Sequence, residues 1–169
     1  MRHWAIFISV AVAVTITMTL CFISLMAQSL STDLLYTRTN RYDASAWISG
    51  GERFPFGSSI EVRSGNRVHP LAHDFYATAD ANVSFDGRRI LFSGKHKESD
   101  CWQLWEISTN GGEPRRVLIT DSDTLRPMYL PGERLVYARK LDGQFVLESA
   151  TLAGTDVVRL TYAPGKRTA

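Results

Sequence analysis

The chain has 169 residues and carries 19 Lys and Arg against 17 Asp and Glu, a formal net charge of +2 at pH 7. This near balance, without a clustered basic face, excludes the electrostatic footprint of a nucleic-acid-binding protein. The two cysteines are Cys21 and Cys101. A fold held by disulfides within the globular part is also excluded, because Cys101 has no second cysteine there to pair with.

The first predicted element is an uncharged segment, Trp4–Ala27. It reaches the roughly 20 residues that a helix needs to span a bilayer, and it lies at the N-terminus like an export signal. Residues 1–27 are therefore either a transmembrane anchor or a signal peptide cut near Ala27, although Leu25 fits a small-residue cleavage site poorly. A lipoprotein modified at Cys21 is a third alternative, which Leu20 disfavours because a small residue is expected before the modified cysteine.

A short polar linker, residues 28–33, leads to the first predicted strand, Leu34–Arg38. This strand aligns with Ile90–Ser93, the second strand of a unit that recurs later in the chain. Ser59–Ser64 and Arg67–Ala72 align with the third and fourth strands of that unit. The sequence thus predicts a first sheet that lacks its first strand.

The connection between the first two of these strands, Thr39–Ser58, is the longest in the chain. Loops longer than about 12–15 residues within a compact domain are often functional. We expect this candidate interaction loop to bind a partner through four aromatic side chains, Tyr42, Trp47, Phe54 and Phe56. The alternative is an Ω-loop whose aromatic rings pack over the sheet or fill a central channel.

The stretch Asn82–Thr120 predicts one complete four-stranded antiparallel unit. A strong hairpin signal at Asp86-Gly87 and a tight turn at Asn110-Gly111-Gly112 separate its strands, with a polar connection over Gly94–Asp100. The four predicted strands are Asn82–Phe85, Arg89–Ser93, Trp102–Ser108 and Arg115–Ile119. The second and third strands carry apolar residues on both faces, which indicates a sheet that is covered on both sides.

This unit recurs further along the chain. Pro127–Tyr137 aligns with Asn82–Phe92 at an offset of 45 residues, whereas Glu148 falls on Glu106 at an offset of 42. The difference predicts a three-residue deletion in the hairpin at Lys140–Gly143. Periods of about 40–45 residues with four strands each are typical of β-propeller blades.

We therefore expect an all-β fold after an N-terminal hydrophobic helix. Residues 34–161 form a partial β-propeller of about two and a half four-stranded antiparallel blades, and 162–169 form a tail. Propellers usually close with about four to eight blades. The outer blades of this chain would expose apolar faces unless a protein partner or self-association completes the propeller.

The segments NVSFDGRRILFSG and WQLWEISTNGGEPRRVL resemble the WD40-like repeat of TolB-type periplasmic propellers. The run from Leu34 to Ser93 is also similar to the propeller region of hydrazine synthase alpha-subunit-like proteins. The resemblance covers Leu34–Thr161 and implies a propeller fold in the cell envelope. It implies no catalytic role, because propellers host many activities and the Cys-x-x-Cys-His pattern of haem attachment is absent.

The sequence contains histidines, aspartates and a cysteine of the types that form metal or reactive sites, but none of them is predicted to form one. His69 and His73 are four residues apart, but Pro70 prevents the helix that would bring them together. Cys101 is interpreted as a buried or half-buried strand residue. Four aspartates lack the spacing of a calcium loop and are interpreted as turn residues: Asp74, Asp80, Asp121 and Asp123.

Three glutamates, Glu61, Glu106 and Glu148, fall at the same place in the third strand of each unit. This repetition predicts an edge or inter-blade ion pair rather than a carboxylate site. The pairs Arg88-Arg89 and Arg115-Arg116 lie at strand starts and are interpreted as solvated edge charges.

The sequence therefore favours a non-catalytic TolB-like propeller module for protein–protein interaction, exported or anchored in the inner membrane through residues 4–27. No catalytic residue, cofactor, metal or nucleic-acid partner is expected. The alternative is a truncated subunit or remnant of a propeller-bearing envelope enzyme, hydrazine-synthase-like or peptidase-associated, whose chemistry resides on another chain. A truncated product without a folded function is the third possibility.

Overall fold

The computed structural model describes residues 33–46 and 51–162, and within them the chain forms three antiparallel β-sheets. The predicted anchor or signal peptide at residues 1–27 and the tail from residue 163 lie outside the described residues. No helix in the two described ranges is both long enough and apolar enough to cross a membrane.

The sheets follow one another along the chain and are called blades 1, 2 and 3. In each of them, strands that are consecutive in sequence are neighbours in the sheet. Blade 1 has three strands, β1 (Leu34–Arg38), β2 (Ser59–Ser64) and β3 (Arg67–Pro70). Blade 2 has four, β4 (Ala77–Val83), β5 (Arg89–Lys95), β6 (Gln103–Ser108) and β7 (Arg115–Arg116). Blade 3 has β8 (Thr124–Leu130), β9 (Arg134–Leu141), β10 (Gln144–Thr151) and β11 (Val158–Arg159). The all-β prediction is confirmed for the described residues.

The first strands of blades 2 and 3 differ from the prediction. β4 begins at Ala77 instead of Asn82, because a β-bulge interrupts the alternation that marks a strand. Asp80 lies at this bulge with a φ of 54°, and Arg126 lies at the corresponding bulge of β8 with a φ of 53°. The fourth strands are shorter than expected, since regular pairing in blade 2 ends at Arg116.

Two apolar clusters join the blades. Ile60 and Val62 of blade 1 pack with Phe92 and Ile107 of blade 2, and all four are buried. Leu91 and Leu104, on the opposite face of blade 2, pack with three residues of blade 3: Leu135, Tyr137 and Ala150. Blade 2 is therefore covered on both faces, which explains the apolar residues on both sides of its strands.

Two buried threonines repeat the same contact between successive blades. The Thr78 amide donates to the Ser58 carbonyl oxygen at 2.8 Å, and the Thr124 amide donates to the Trp102 carbonyl oxygen at 2.8 Å. In each case the first strand of one blade is tied to the residue just before the third strand of the preceding blade. This repetition shows that blades 1 and 2 stack in the same way as blades 2 and 3.

Backbone pairing corrects the predicted alignment of the third strands. Leu104 lies opposite Ser93, and Leu147 lies opposite Ala138. The Leu104 carbonyl accepts from Val117 at 2.9 Å, just as the Leu147 carbonyl accepts from Leu160 at 2.8 Å. Leu147 thus corresponds to Leu104 at an offset of 43, so the hairpin is shorter by two residues and the predicted offset of 42 is wrong.

The corrected register separates the three glutamates. Glu61 and Glu148 lie opposite tyrosines of the second strand in their blades, Tyr36 and Tyr137. Their counterpart in blade 2 is Trp105, not Glu106, which lies opposite Leu91. Directly opposed side chains share a face of the sheet. The prediction that all three glutamates occupy one position is therefore wrong for Glu106, whose side chain points to the other face.

Candidate interaction surface

The structure places three of the four predicted loop aromatics, and Trp47 lies outside the described residues. Tyr42 and Phe54 pack together with ring centroids 5.4 Å apart. Phe56 packs on Tyr76 of blade 2 at 5.0 Å. Phe54 is half-buried against the cluster around Trp102, whereas Tyr42 and Phe56 are 55% and 69% exposed. The loop therefore packs over blade 2 and still presents two aromatic rings to solvent.

Two ion pairs fix this loop to blade 2. Arg53 Nη2 lies 2.7 Å from Asp80 Oδ1, and Glu52 pairs with Lys95, whose Nζ also donates to the Glu98 carbonyl at 3.0 Å. The side chains of Arg53 and Lys95 are almost completely buried. Buried ion pairs add little net stability, but breaking one is costly, so they favour a single loop position. The prediction that Asp80 is a turn residue is wrong, since it lies in the β4 bulge and holds the loop.

A cavity of about 300 Å³ lies beside the anchored loop. Phe54, Trp102 and Phe145 supply aromatic walls, and Lys95 and Asp123 supply opposite charges. The Lys95 ammonium lies 5.7 Å from the centroid of the Trp102 ring. Glu52 and a carbonyl oxygen already engage this ammonium. Because charged and polar side chains share the lining with the rings, the cavity offers a mixed polar and aromatic surface to an incoming group.

Cys101 lines the same cavity but has the character of an unreactive thiol. It lies in the connection before β6, so the prediction of a strand residue is wrong, although the side chain is half-buried as expected. Its Sγ lies 3.5 Å from the Asp121 carbonyl oxygen. Burial, and then the charge of Asp123, raise the pKa of the thiol, which disfavours the nucleophilic thiolate.

The histidines and aspartates are dispersed. His69 is exposed in β3, and His73 is exposed beyond the end of that strand. Asp74 adopts a φ of 64° in the following turn, as the turn interpretation expects. Within residues 33–46 and 51–162, no group of three or more His, Cys, Asp or Glu side chains is placed to hold a metal ion.

Blades 1 and 3 carry the same polar trio, which sequence reasoning found only in part. In blade 1, Tyr36 Oη donates to Glu61 at 3.0 Å and Arg38 Nε donates to it at 2.5 Å. In blade 3, Tyr137 Oη donates to Glu148 at 2.9 Å and Arg139 lies 3.9 Å away. The ion pairs predicted for Glu61 and Glu148 are confirmed. The tyrosines were missed because they lie on another strand.

Burial and hydrogen bonding act in opposite directions on these groups. Burial tends to raise the pKa of Glu61, but hydrogen bonds from Arg38, Tyr36 and Ser59 outweigh it, so the pKa stays below its ordinary value. Burial, and then the bond to Glu148, raise the pKa of the Tyr137 phenol. At neutral pH, Tyr137 therefore remains a neutral donor and Glu61 an ionised acceptor.

Blade 2 fills the same three positions with Phe92, Gly94 and Trp105. Trp105 Nε1 donates to the Gly94 carbonyl at 3.1 Å. The Phe75 ring lies edge-on to Trp105 at 5.1 Å and occupies the space beside Gly94, where a Cβ atom would come within 2.8 Å of it. An aromatic cluster thus replaces the polar trio, and glycine is required for its close packing.

Glu106 forms a separate polar centre between blades 2 and 3. It accepts hydrogen bonds from Tyr129 Oη of blade 3 at 2.9 Å and from Arg115 Nε at 2.8 Å, and Arg89 lies 3.6 Å away. The Arg89 guanidinium also donates two hydrogen bonds, in a bidentate arrangement, to the Glu133 carboxylate of blade 3. Glu106 is ion-paired as predicted, but with two arginines of its own blade, and its contact with blade 3 is the hydrogen bond from Tyr129. The solvated-charge prediction is wrong for Arg89, which is only partly exposed and pairs with Glu133 of blade 3, whereas Arg115 lies exposed on the edge strand β7 as predicted and also pairs with Glu106.

Comparison with solved structures supports the propeller fold. A TolB protein of Agrobacterium tumefaciens matches with a TM-score of 0.55 and 18% identity, over 62% of this chain and 41% of that one. Hydrazine synthase of Kuenenia stuttgartiensis matches with a TM-score of 0.52 and 19% identity, over 75% of this chain and 19% of that one. A nidogen/laminin complex matches with a TM-score of 0.51 and 16% identity, over 62% of this chain and 40% of that one.

These similarities are at the level of fold. The described blades resemble TolB-type and hydrazine synthase propellers, which confirms the resemblance predicted from the sequence. The chain spans well under half of the length of each of these proteins. No protein-family model and no curated protein matches it. Because folds host many functions, the matches do not assign an activity.

Proposed function

We propose that this chain is a non-catalytic propeller module that binds another protein in the cell envelope. The candidate interaction loop, residues 39–58, would form the contact. The observation that carries the proposal is a pair of exposed aromatic rings, Tyr42 and Phe56, on a loop that buried ion pairs hold in place. Envelope location rests on the uncharged segment 4–27 and on the resemblance to TolB-type propellers.

Aromatic side chains that a fixed loop presents to solvent are favourable for protein binding. Tyrosine and other aromatics are enriched in the centres of protein interfaces, where they bury a large area. A loop that is already ordered also loses less conformational entropy on binding than a mobile one. The adjacent cavity adds Trp102 and Phe145 as further aromatic surface for a partner's side chain.

Site-specific photocrosslinking in the native cell tests the proposal. A photoreactive residue replaces Phe56, and the matched control carries it at Phe85, which is 79% exposed in the β4–β5 turn. We expect a discrete protein adduct in the envelope fraction from position 56 and none from position 85. The additional change Tyr42→Ala should weaken the adduct. Equal labelling at both positions, or a purely cytoplasmic adduct, would overturn the proposal.

A further inference from the structure

The covered face of blade 2 has an exposed counterpart on blade 3. We call the side of a blade that faces the next blade its following face, and the other side its preceding face. Leu91 and Leu104 of blade 2 lie on its following face and are buried by blade 3. The corresponding residues of blade 3 are Val136 and Leu147, and Leu147 is 44% exposed.

The following face of blade 3 carries an apolar side chain on each of its four strands: Met128, Val136, Leu147 and Val158. Directly opposed residues share a face, so one row runs from Met128 through Val136 and Ser149 to Val158. Met128 is 55% exposed, and Val158 is 45% exposed. Exposed apolar surface on several adjacent strands marks an interaction site rather than the scattered exposure that is normal on protein surfaces.

The preceding face of blade 1 repeats a face that is covered elsewhere in the chain. In blade 3, Leu135, Tyr137 and Glu148 are buried at the contact with blade 2. Three residues of the same types occupy the corresponding positions of blade 1, and Arg38 corresponds to Arg139. The matching residues of blade 1 are Leu34, Tyr36 and Glu61. Within the described residues no fourth sheet covers them, and Leu34 is 56% exposed.

We propose that a second copy of this chain covers these faces, in a head-to-tail dimer. The following face of blade 3 in one copy packs on the preceding face of blade 1 in the other. In this contact Val136 and Leu147 would meet Leu34 and Tyr36, which are counterparts of residues that pack together between blades 2 and 3. The repetition covers the second and third strands, since blade 1 has three strands and carries Arg63 where blade 3 has Ala150. Two copies contribute six blades, within the range of about four to eight in which propellers close.

The arginine positions support this direction of packing. At the covered contact, Arg139 reaches beyond Glu148 to Ser122 Oγ at 3.0 Å in the connection that follows blade 2. Arg38 instead donates from Nε to its own Glu61, and 52% of its side chain is exposed. A docked blade would bury the Leu34 side chain beside Arg38.

The inference goes beyond the proposed function, because it concerns the open faces of blades 1 and 3 and not the candidate interaction loop. Chemical crosslinking of the full chain tests it. Cys21→Ala and Cys101→Ala remove the native thiols, and one preparation then carries Leu34→Cys and another Leu147→Cys. Both changes are at exposed positions, so neither disturbs a packed core. A bismaleimide with a span of about 10 Å, the spacing of packed sheets, links facing residues.

A product of about twice the chain mass of 18.9 kDa should form in the mixture of the two preparations and in neither one alone. A chain that carries both cysteines should form the same two-copy product without a ladder. Crosslinking of either preparation with itself would overturn the head-to-tail arrangement. A ladder of products with three or more copies would overturn closure with two copies. The dimer would be overturned if no two-copy product formed, or if position 34 captured an unrelated protein.

A charge placed on the open face gives an independent readout. Leu147→Asp should weaken dimerisation of the full chain by roughly 100-fold, as expected for a central interface residue, whereas Phe85→Asp should leave it unchanged. An unchanged dimer in Leu147→Asp would overturn the inference. Adducts at position 56 report on the proposed function separately. If no dimer is detected but the adducts at position 56 still form, only the dimer is refuted. If the dimer forms but no adduct appears at position 56, only the proposed function is refuted.

Discussion

The preceding faces of blades 1 and 3 have nearly the same chemistry but different surroundings. Tyr137 is 1% exposed beneath blade 2, whereas its counterpart Tyr36 is half-buried and lies beside the exposed Leu34. This difference in exposure shows that the residue pattern of a sheet face determines which surfaces it can pack against. Whether the face is core or surface depends on the number of blades around it.

Blade 2 extends this comparison, because it fills the same positions without ion pairs. Phe92 and Trp105 replace the tyrosine and the glutamate, and Gly94 replaces the arginine and makes room for Phe75. The blade framework therefore accepts a hydrogen-bonded polar trio or an aromatic cluster at one site.

The largest effect is expected where the covered interface is tightest. Gly154 has a φ of 78°, and a Cβ atom there would overlap the Val117 carbonyl oxygen of blade 2. Gly154→Ala should lower the free energy of unfolding by about 3 kcal/mol, combining left-handed strain with overpacking. Gly132→Ala is the control, since Gly132 has a φ of 77° but open space around it, and it should cost about 1 kcal/mol. Urea denaturation measures both, and equal losses would contradict the close approach of the two blades.

Leucine truncation should separate the covered and open following faces. Leu104→Ala removes a side chain that is 0% exposed and should cost about 3 kcal/mol. Leu147→Ala, at the corresponding exposed position of blade 3, should cost below about 1 kcal/mol in dilute, monomeric protein. The measurement is again urea denaturation. Similar losses would mean that the two faces are equally covered.

Removal of tyrosine hydroxyls sharpens the comparison of the preceding faces. Tyr137→Phe deletes a buried donor to Glu148 and should cost about 1.5 kcal/mol, because the buried carboxylate loses a hydrogen bond. Tyr36→Phe, at the open face, should cost about 0.5 kcal/mol because water can replace the lost donor. Thermal unfolding of the two variants measures which one loses more stability. The prediction would be wrong if Tyr36→Phe were the more destabilising change.

The smallest effect is a pH dependence that arises from Glu61. Its folded-state pKa lies below the ordinary value of 4.5, so the unfolded chain binds the proton more tightly. The carboxylate therefore stabilises the fold above about pH 4.5, and this contribution is lost as the pH falls through the folded-state pKa. Glu61→Gln should be less stable than the unchanged chain at pH 7, and the gap should narrow by pH 3. A gap that stays constant in urea titrations would contradict the lowered pKa.

The sequence predicted the elements with regular alternation and missed those fixed by tertiary contacts. The bounds of β1 and β2 agree with the prediction, because Ser59–Ser64 alternates polar and apolar residues and Leu34–Arg38 aligns with the second strand of the repeated unit. The start of β4 was missed because Asp80 breaks the alternation at a bulge. The alignment of Glu106 with Glu148 followed residue identity, whereas backbone hydrogen bonds fix the register.

For the candidate interaction surface, the sequence predicted only which aromatic residues contribute to it. The length of the connection and its rings pointed to Tyr42, Phe54 and Phe56. Nothing in the local pattern indicated that Arg53 would pair with Asp80, or that Lys95 would be buried beside the loop. Both contacts join residues far apart in sequence, so they depend on how blade 1 stacks on blade 2.

The most direct test of the account compares four leucines in the unaltered protein. Leu104 and Leu135 lie on covered faces, and their counterparts Leu147 and Leu34 lie on open ones. Methyl NMR with a soluble paramagnetic agent, at a concentration where the chain is monomeric, measures how closely solvent approaches each side chain. Stacking of the three blades predicts strong broadening for Leu147 and Leu34 and little for Leu104 and Leu135. Equal broadening of all four, or protection of the open pair alone, would contradict the stacking of the three blades.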